Sequence, residues 1–370
     1  RFLKDFRTKK QVVFDTTDRE EEVQGMKAAV MTGIKKVEIQ ERPMPEPKDD
    51  EVLVKIEYVG VCGSDLHYYG AGRIGNFVVK PPFILGHEAG GTVVKTGKNV
   101  KHLKVRDRVA LEPGKTCGKC EHCKEGKYNL CKDVIFFATP PVDGVFQEYV
   151  AHEADLCFVL PENVSTLEGA LIEPLAVGMH AANQGGAKLG QTAVVTGAGC
   201  IGLCTLLALK AMGVSKVIVV DVMRKRLEKA LSLGADYVID ASKEDVLNQI
   251  HVLTKGRGID LGIETAGSQI TATQWIQCVK KGGTIVFVGY SASGEMTLPI
   301  GMALDKELTF KTVFRYRNIY LMAIDAVSSG KIHIKDIVSH YFELDEIQDA
   351  LDKCLEDKAN VVKGVIRISD

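Results

Sequence analysis

Residues 192–221 limit the fold more tightly than any other stretch of the chain. They read as a short strand at Ala193, Val194 and Val195, a turn Gly197-Ala198-Gly199-Cys200-Ile201-Gly202, and an apolar helical run to Met212. A second strand at 217–220 then ends on Asp221. A G-x-G-x-x-G turn between strand and helix, with an acid about twenty residues beyond it, predicts a dinucleotide-binding βαβ unit. Gly197 permits the tight turn, Gly199 lets backbone N–H groups approach a pyrophosphate, and Gly202 lets the helix pack on the strand. The first helical turn, opened by Cys200 and Ile201, offers that phosphate unpaired N–H donors and a partial positive charge.

The rest of the chain divides around this unit. At 370 residues it is too long for one ordinary core, so two domains are expected. Residues 1–25 are dense in Lys, Arg, Asp and Glu and lack the apolar stretch of a signal peptide. They read as an extension, with Met26 as the natural start. From 26 to about 160, short strands at 37–39, 52–56, 91–94 and 108–111 are broken by Pro and Gly, which predicts an all-β, barrel-like domain. After about Glu173 strands and helices alternate. Helices are expected at 243–253 and about 269–279, and six strands, the last near 308–311, make a doubly wound parallel sheet. The tail predicts an amphipathic helix, with Asp345 as N-cap and Leu344, Ile347, Leu351 and Leu355 on one face, followed by a strand at 365–368. The fold class is therefore α/β, with a β domain over 26–175, a dinucleotide domain over 176–311, and a return to the first domain over 312–370.

A formal net charge of −1 gives no electrostatic footprint for nucleic acid. The most apolar window, 192–212, is accounted for by the dinucleotide turn, so no membrane span is expected. Four of the ten cysteines are clustered at metal spacing, which predicts a reducing, cytoplasmic compartment rather than a disulfide framework.

Those four, Cys117, Cys120, Cys123 and Cys131, form C-x2-C-x2-C-x7-C in a Gly- and Lys-rich loop. Four thiolates at this spacing can close a tetrahedral structural Zn²⁺ site. An iron–sulfur cluster is the rival for soft thiolates, but the bacterial ferredoxin run has a shorter last gap and a Pro after the last Cys, where this chain has Lys132. A second group is dispersed: Cys62 to His67, Gly86-His87-Glu88, and Glu173-Pro174. Spacing alone does not join these, and taken singly each has a bland reading as a core Cys, a core His or a loop acid.

Their order along the chain does carry a resemblance. From Met26 onward the sequence resembles the zinc-dependent medium-chain dehydrogenases through Cys62-Gly63-Ser64-Asp65, Gly86-His87-Glu88 and the turn at 197–202. It resembles their polyol (sorbitol or L-iditol) dehydrogenase group through Gly72-Arg73-Ile74-Gly75-Asn76-Phe77, Phe136-Phe137-Ala138-Thr139-Pro140-Pro141, Glu173-Pro174-Leu175-Ala176-Val177-Gly178 and Phe314-Arg315-Tyr316. One feature departs: animal sorbitol dehydrogenases lack the four-cysteine lobe, which points towards microbial or fungal polyol, butanediol and threonine relatives.

The resemblance implies a GroES-like catalytic domain with a Rossmann domain behind it. It implies that Cys62, His87 and a glutamate hold a catalytic zinc; the glutamate is Glu88 or Glu173, and where Glu88 ligates, Glu173 holds the metal-bound water as a catalytic residue. The expected reaction is reversible oxidation of a sugar alcohol by hydride transfer to NAD⁺, zinc acting as the Lewis acid that favours the alkoxide. A butanediol, L-threonine or simple alcohol substrate on the same site is the alternative. Ser64 and His67 match the family's proton relay, Tyr68, Arg315 and Tyr316 its substrate contacts, and Phe137 its apolar wall. Asp221 predicts NAD over NADP, because a carboxylate there accepts from the ribose hydroxyls and repels a 2′-phosphate. Arg224 and Arg226 lie close enough to soften that repulsion, and Arg226 is taken as a cofactor contact. Membership also implies a homotetramer.

Overall fold

A computed structural model describes residues 25–291 and 294–369. Apart from Gly25, the expected extension lies outside the described residues. Gly25 itself opens the strand Gly25–Gly33, which pairs antiparallel with Lys36–Pro43.

The first large sheet is built on Glu51–Gly60, where Val52, Val54 and Ile56 are fully buried at the two-residue period of a strand. It pairs antiparallel with Glu88–Thr96 in a register that puts Gly60 opposite Glu88. The C-terminal strand Gly364–Arg367 pairs with its other edge, Val365 opposite Gly60, and carries His340–Glu343 in parallel beside it. The tail thus returns to the first sheet, and it brings Lys363 to the strand end where Val61 and Cys62 leave.

The second sheet has six parallel strands in the order Tyr237–Asp240, Lys216–Asp221, Thr192–Thr196, Ile259–Glu264, Val279–Phe287, Thr309–Thr312. The order reverses beside Thr192–Thr196, and ligands of such sheets bind outside the carboxyl ends of the strands at that point. The G-x-G turn stands there.

Between the sheets runs the helix Thr166–Gln184, opened by a capping box in which the Ser165 hydroxyl accepts from Glu168 N and the Glu168 carboxylate from Ser165 N. It is buried almost all round, as a helix packed on both sides must be. Glu173 and Pro174 lie inside it rather than in a loop. The expected division at 175/176 therefore falls within one helix.

Two helix starts differ from expectation. The helix expected from Lys243 starts at Val246, because the Asp245 carboxylate accepts from Leu247 N (3.0 Å) and Asn248 N (3.1 Å) and so fixes the start. Asp345 is not an N-cap. Glu343 and Glu346 form a capping box around a single 3-10 turn, the helix Ile347–Glu356 follows, and Asp345 instead receives Lys27 Nζ at 3.1 Å. Among the described residues no helix is long and apolar enough to cross a membrane.

Candidate active site

Cys62 follows the strand Glu51–Gly60 and is the N-cap position of the helix Gly63–Ala71. Asp65, fully buried in that helix, folds back: one carboxylate oxygen accepts from Cys62 N (3.0 Å), the other from Gly86 N (2.9 Å). The second oxygen also lies 3.6 Å from His87 Nδ1. One carboxylate thus fixes both backbone segments that carry ligand candidates and faces the imidazole between them. Burial pushes His87 towards neutrality, but Asp65 and Cys62 outweigh it and the net direction is up. Cys62, His87 and Glu88 each bring a donor atom into one group in which all three lie within 4.8 Å of one another. A sulfur, an imidazole and a carboxylate so gathered suit a catalytic Zn²⁺ with an open fourth place.

Glu88 is also ion-paired with Lys363; both side chains are 1% exposed, and Lys363 Nζ donates to Val61 O at 2.9 Å. Glu173 is outside the three-residue group but close enough to feel it. Burial pushes its carboxyl up to about 7, with His87, Tyr316 and Lys363 pulling it back and Glu88 reinforcing the rise. The structure therefore puts both expected glutamates at the site, in different circumstances.

Arg315 lies with its guanidinium 3.8 Å above the Phe136 ring and 4.9 Å from that of Phe314. Its neighbours include Tyr316, Glu173 and Tyr68. Among the described residues Arg315 Nη1 is buried without a hydrogen-bond partner, which is costly unless a ligand supplies one; the Tyr316 hydroxyl is buried too, with the Glu173 carboxylate beside it and no hydrogen bond of good geometry. Tyr68 is buried on the helix that begins at Cys62. The aromatic that faces this group is Phe136, which also lies 5.7 Å from the His87 ring; Phe137 turns the other way and packs, tilted, against His152 with ring centroids 4.6 Å apart. Phe136 ends the strand Ile135–Phe136 and Phe137 begins the turn after it, so the two rings leave in different directions, which the residue pair alone does not signal. Ser64 is half-buried and His67 exposed on the helix Gly63–Ala71.

The sulfurs of Cys117, Cys120, Cys123 and Cys131 also lie within 4.8 Å of one another. Cys120 N and Cys117 N donate to the Cys117 and Cys131 sulfurs, both at 3.4 Å. Backbone N–H groups of Lys119 and Cys120 bring the Cys117 thiol down to about 6, which favours the thiolate a metal needs.

A cavity of about 270 Å³ joins Cys62 and Glu88 to Gly199, Cys200, Gly202 and Arg226. Gly197 has φ 87°, and a Cβ at Gly202 would meet Gly197 O at 1.7 Å, so both positions demand glycine. A Cβ at Gly199 would meet only Arg226 Nη1, at 3.7 Å, and would fill the space a pyrophosphate needs. Asp221 accepts from Ala198 N (2.6 Å) and Met223 N (2.8 Å), which ties it to the turn. Arg226 lines the cavity, whereas Arg224 is paired with Glu228 at 3.0 Å. Asp65, Phe136 and Lys363 are the participants that sequence reasoning missed.

Comparison with known proteins agrees with this geometry. The alcohol dehydrogenase GroES-like domain matches residues 48–162, and the zinc-binding dehydrogenase domain matches residues 200–329. A sorbitol dehydrogenase of Bacillus subtilis (strain 168) is 43% identical over 93% of this chain and 97% of its own length. An Escherichia coli oxidoreductase/dehydrogenase of unknown specificity superposes with a TM-score of 0.90 at 42% identity, covering 94% of this chain and all of the other. The 2R,3R-butanediol dehydrogenase of Bacillus subtilis gives 0.85 at 32% identity, over 93% and 100%. Fold and site define a two-domain, dinucleotide-dependent oxidoreductase. The chain belongs to the zinc-binding alcohol dehydrogenase family.

Proposed function

We propose that the chain oxidises a sugar alcohol such as sorbitol, xylitol or L-iditol to the ketose, reversibly, with NAD⁺ as acceptor. The observation that carries this reading is the buried Arg315 Nη1, without a hydrogen-bond partner among the described residues, together with the buried Tyr316 hydroxyl beside Glu173. A guanidinium and a phenol at that position match a chain of hydroxyls and are wasted on a small apolar alcohol. The name of the 43% identical relative favours the same substrate class, and the butanediol alternative rests on a relative 32% identical.

Cys62 and His87 would hold the catalytic zinc together with Glu88 or Glu173, and the four thiolates at 117–131 the structural one. When bound, zinc supplies Lewis-acid polarisation of the reacting hydroxyl and NAD⁺ accepts the hydride. Where Glu88 is the third ligand, the buried carboxyl of Glu173 stands beside that hydroxyl and can accept and pass on its proton. Ser64 and His67 then form the route to solvent, His67 at its exposed end. Arg315, Tyr316 and Tyr68 orient the remaining hydroxyls, and Phe136 supports the guanidinium. The cavity between Cys62 and Gly199 receives the dinucleotide, with Asp221 toward the adenosine ribose.

The proposed division is 26–175 with 312–370, and 176–311; the separate sheets support two domains, and the boundary at 175/176 lies inside the helix Thr166–Gln184. A cytoplasmic setting is supported by the four cysteines at metal spacing and by ten cysteines of which none forms a disulfide, and a homotetramer by family resemblance; sedimentation equilibrium tests the latter. The test of the function is Arg315→Ala. KM for sorbitol or xylitol rises at least about tenfold while KM for NAD⁺ stays within twofold; equal effects on both would contradict the reading.

A further inference from the structure

The segment 126–129 sits between the last two cysteines of the four-cysteine lobe, and it grips the loop 314–318 that carries Arg315 and Tyr316. Asn129 Nδ2 donates to Phe314 O at 2.8 Å, and Asn129 Oδ1 accepts from Arg317 Nη1 at 3.1 Å. The Tyr128 hydroxyl accepts from Asn318 N at 2.7 Å and donates to the buried carboxylate of Glu112 at 2.8 Å. Asn318 Nδ2 donates to Gly126 O at 2.9 Å. These hydrogen bonds bracket the Arg-Tyr pair on both sides.

The bracketed loop is one that needs holding. Arg315 has φ 55°, a left-handed conformation that a long side chain keeps only where its surroundings impose it, and Asn318, at φ 54°, is of a residue type that tolerates it. Arg315 has no hydrogen bond of its own to fix Nη1, so its direction follows from the backbone turn and from the Phe136 ring beneath it. Gly126, Tyr128 and Asn129 supply the hydrogen bonds that hold that turn, and all three belong to the lobe.

We infer that the four-cysteine lobe is a substrate-positioning element: Tyr128 and Asn129 hold the loop 314–318 in the one conformation that presents Arg315 and Tyr316 to a polyhydroxylated substrate. This rests on the polyol reading above. Tyr128 and Asn129 touch no substrate; they are positioning residues acting through the loop, in addition to any structural role of the lobe.

The test uses the full-length enzyme with both zinc sites filled, comparing Tyr128→Phe, Asn129→Ala and Arg315→Ala. Both lobe variants raise KM for sorbitol about five- to tenfold, leave KM for NAD⁺ and kcat/KM for 2-propanol within twofold, and keep two zinc ions per chain. Added to Arg315→Ala, neither raises it further. Amide hydrogen exchange across 314–318 quickens at least tenfold in both, a readout that needs no substrate. An unchanged sorbitol KM and unchanged exchange in both variants would overturn the inference, as would a uniform loss on sorbitol, NAD⁺ and 2-propanol alike. If Arg315→Ala itself leaves the sorbitol KM unchanged, it is the polyol reading that fails, and the exchange result still decides whether the lobe holds the loop.

Discussion

Lys363 and Glu88 form an ion pair in which each side chain is 1% exposed, although 275 residues separate them in sequence. The register that places Gly364–Arg367 against Glu51–Gly60 makes the meeting possible. It also leaves no room for a side chain at Gly60, where a Cβ would meet Glu88 Oε2 at 2.0 Å.

Removing one partner strands a buried charge. Lys363→Met is expected to lower unfolding free energy by about 3–5 kcal/mol. The double variant Lys363→Met, Glu88→Gln recovers most of that loss, because no unpaired charge then remains. Urea denaturation of the two variants checks this. A double variant no more stable than the single would show that the pair is not the source of the effect.

Asp65 holds Cys62 N and Gly86 N and faces His87 Nδ1. Carboxylates that orient a ligating imidazole typically contribute about 10- to 100-fold in metal affinity. Asp65→Asn should therefore release the catalytic zinc to a chelator at 10- to 100-fold lower chelator activity, with the four-cysteine zinc retained.

Two buried groups around one carbonyl give opposite pH dependences. Burial raises the Glu112 carboxyl to about 7, so its contribution to stability is present below its ordinary 4.5 and lost as pH rises through 7. Burial lowers His152, whose Nε2 bonds Glu112 O at 2.8 Å, to about 4. Its contribution is present above 6.5 and lost as pH falls through 4. Between 4.5 and 6.5 the two slopes oppose each other. Glu112→Gln should thus gain about 2 kcal/mol of stability relative to wild type between pH 5.0 and 6.5, and His152→Gln should lose a similar amount. Parallel stability curves for wild type and variants would contradict both assignments.

Asp221 keeps its carboxylate at the turn through Ala198 N and Met223 N, leaving lone pairs for the ribose and a charge against a 2′-phosphate. Asp221→Asn retains an acceptor and removes the charge. The ratio of kcat/KM for NAD⁺ over NADP⁺ should fall about tenfold, roughly 1.4 kcal/mol. An unchanged ratio would move cofactor choice elsewhere in the cavity.

What the sequence made legible was local. The turn at 197–202 carried its own geometry in its glycines, and the spacing of Cys117, Cys120, Cys123 and Cys131 carried the lobe. Resemblance supplied Cys62, His87, Glu173 and Arg315 because the motifs kept their order. Lys363 escaped because a lysine before the last strand looks like any surface lysine until the strand's register is known. Phe136 escaped because neighbouring aromatics differ only in the side they face. Asp65 stood inside a quoted motif, but its role is to accept from two backbone N–H groups 24 residues apart, Cys62 and Gly86, and no side-chain pattern records that. Asp345 was misplaced because Glu343 and Glu346 compete for the same helix start and form the better box.

The central claim is the sugar-alcohol substrate, and initial NADH formation tests it most directly. The zinc-loaded enzyme with NAD⁺ is offered sorbitol, xylitol, 2,3-butanediol, L-threonine and ethanol at equal concentrations. The account predicts a clear preference for sorbitol or xylitol over the other three. Preference for butanediol or threonine would keep the zinc and hydride chemistry but contradict the assignment of Arg315 and Tyr316 to a polyol.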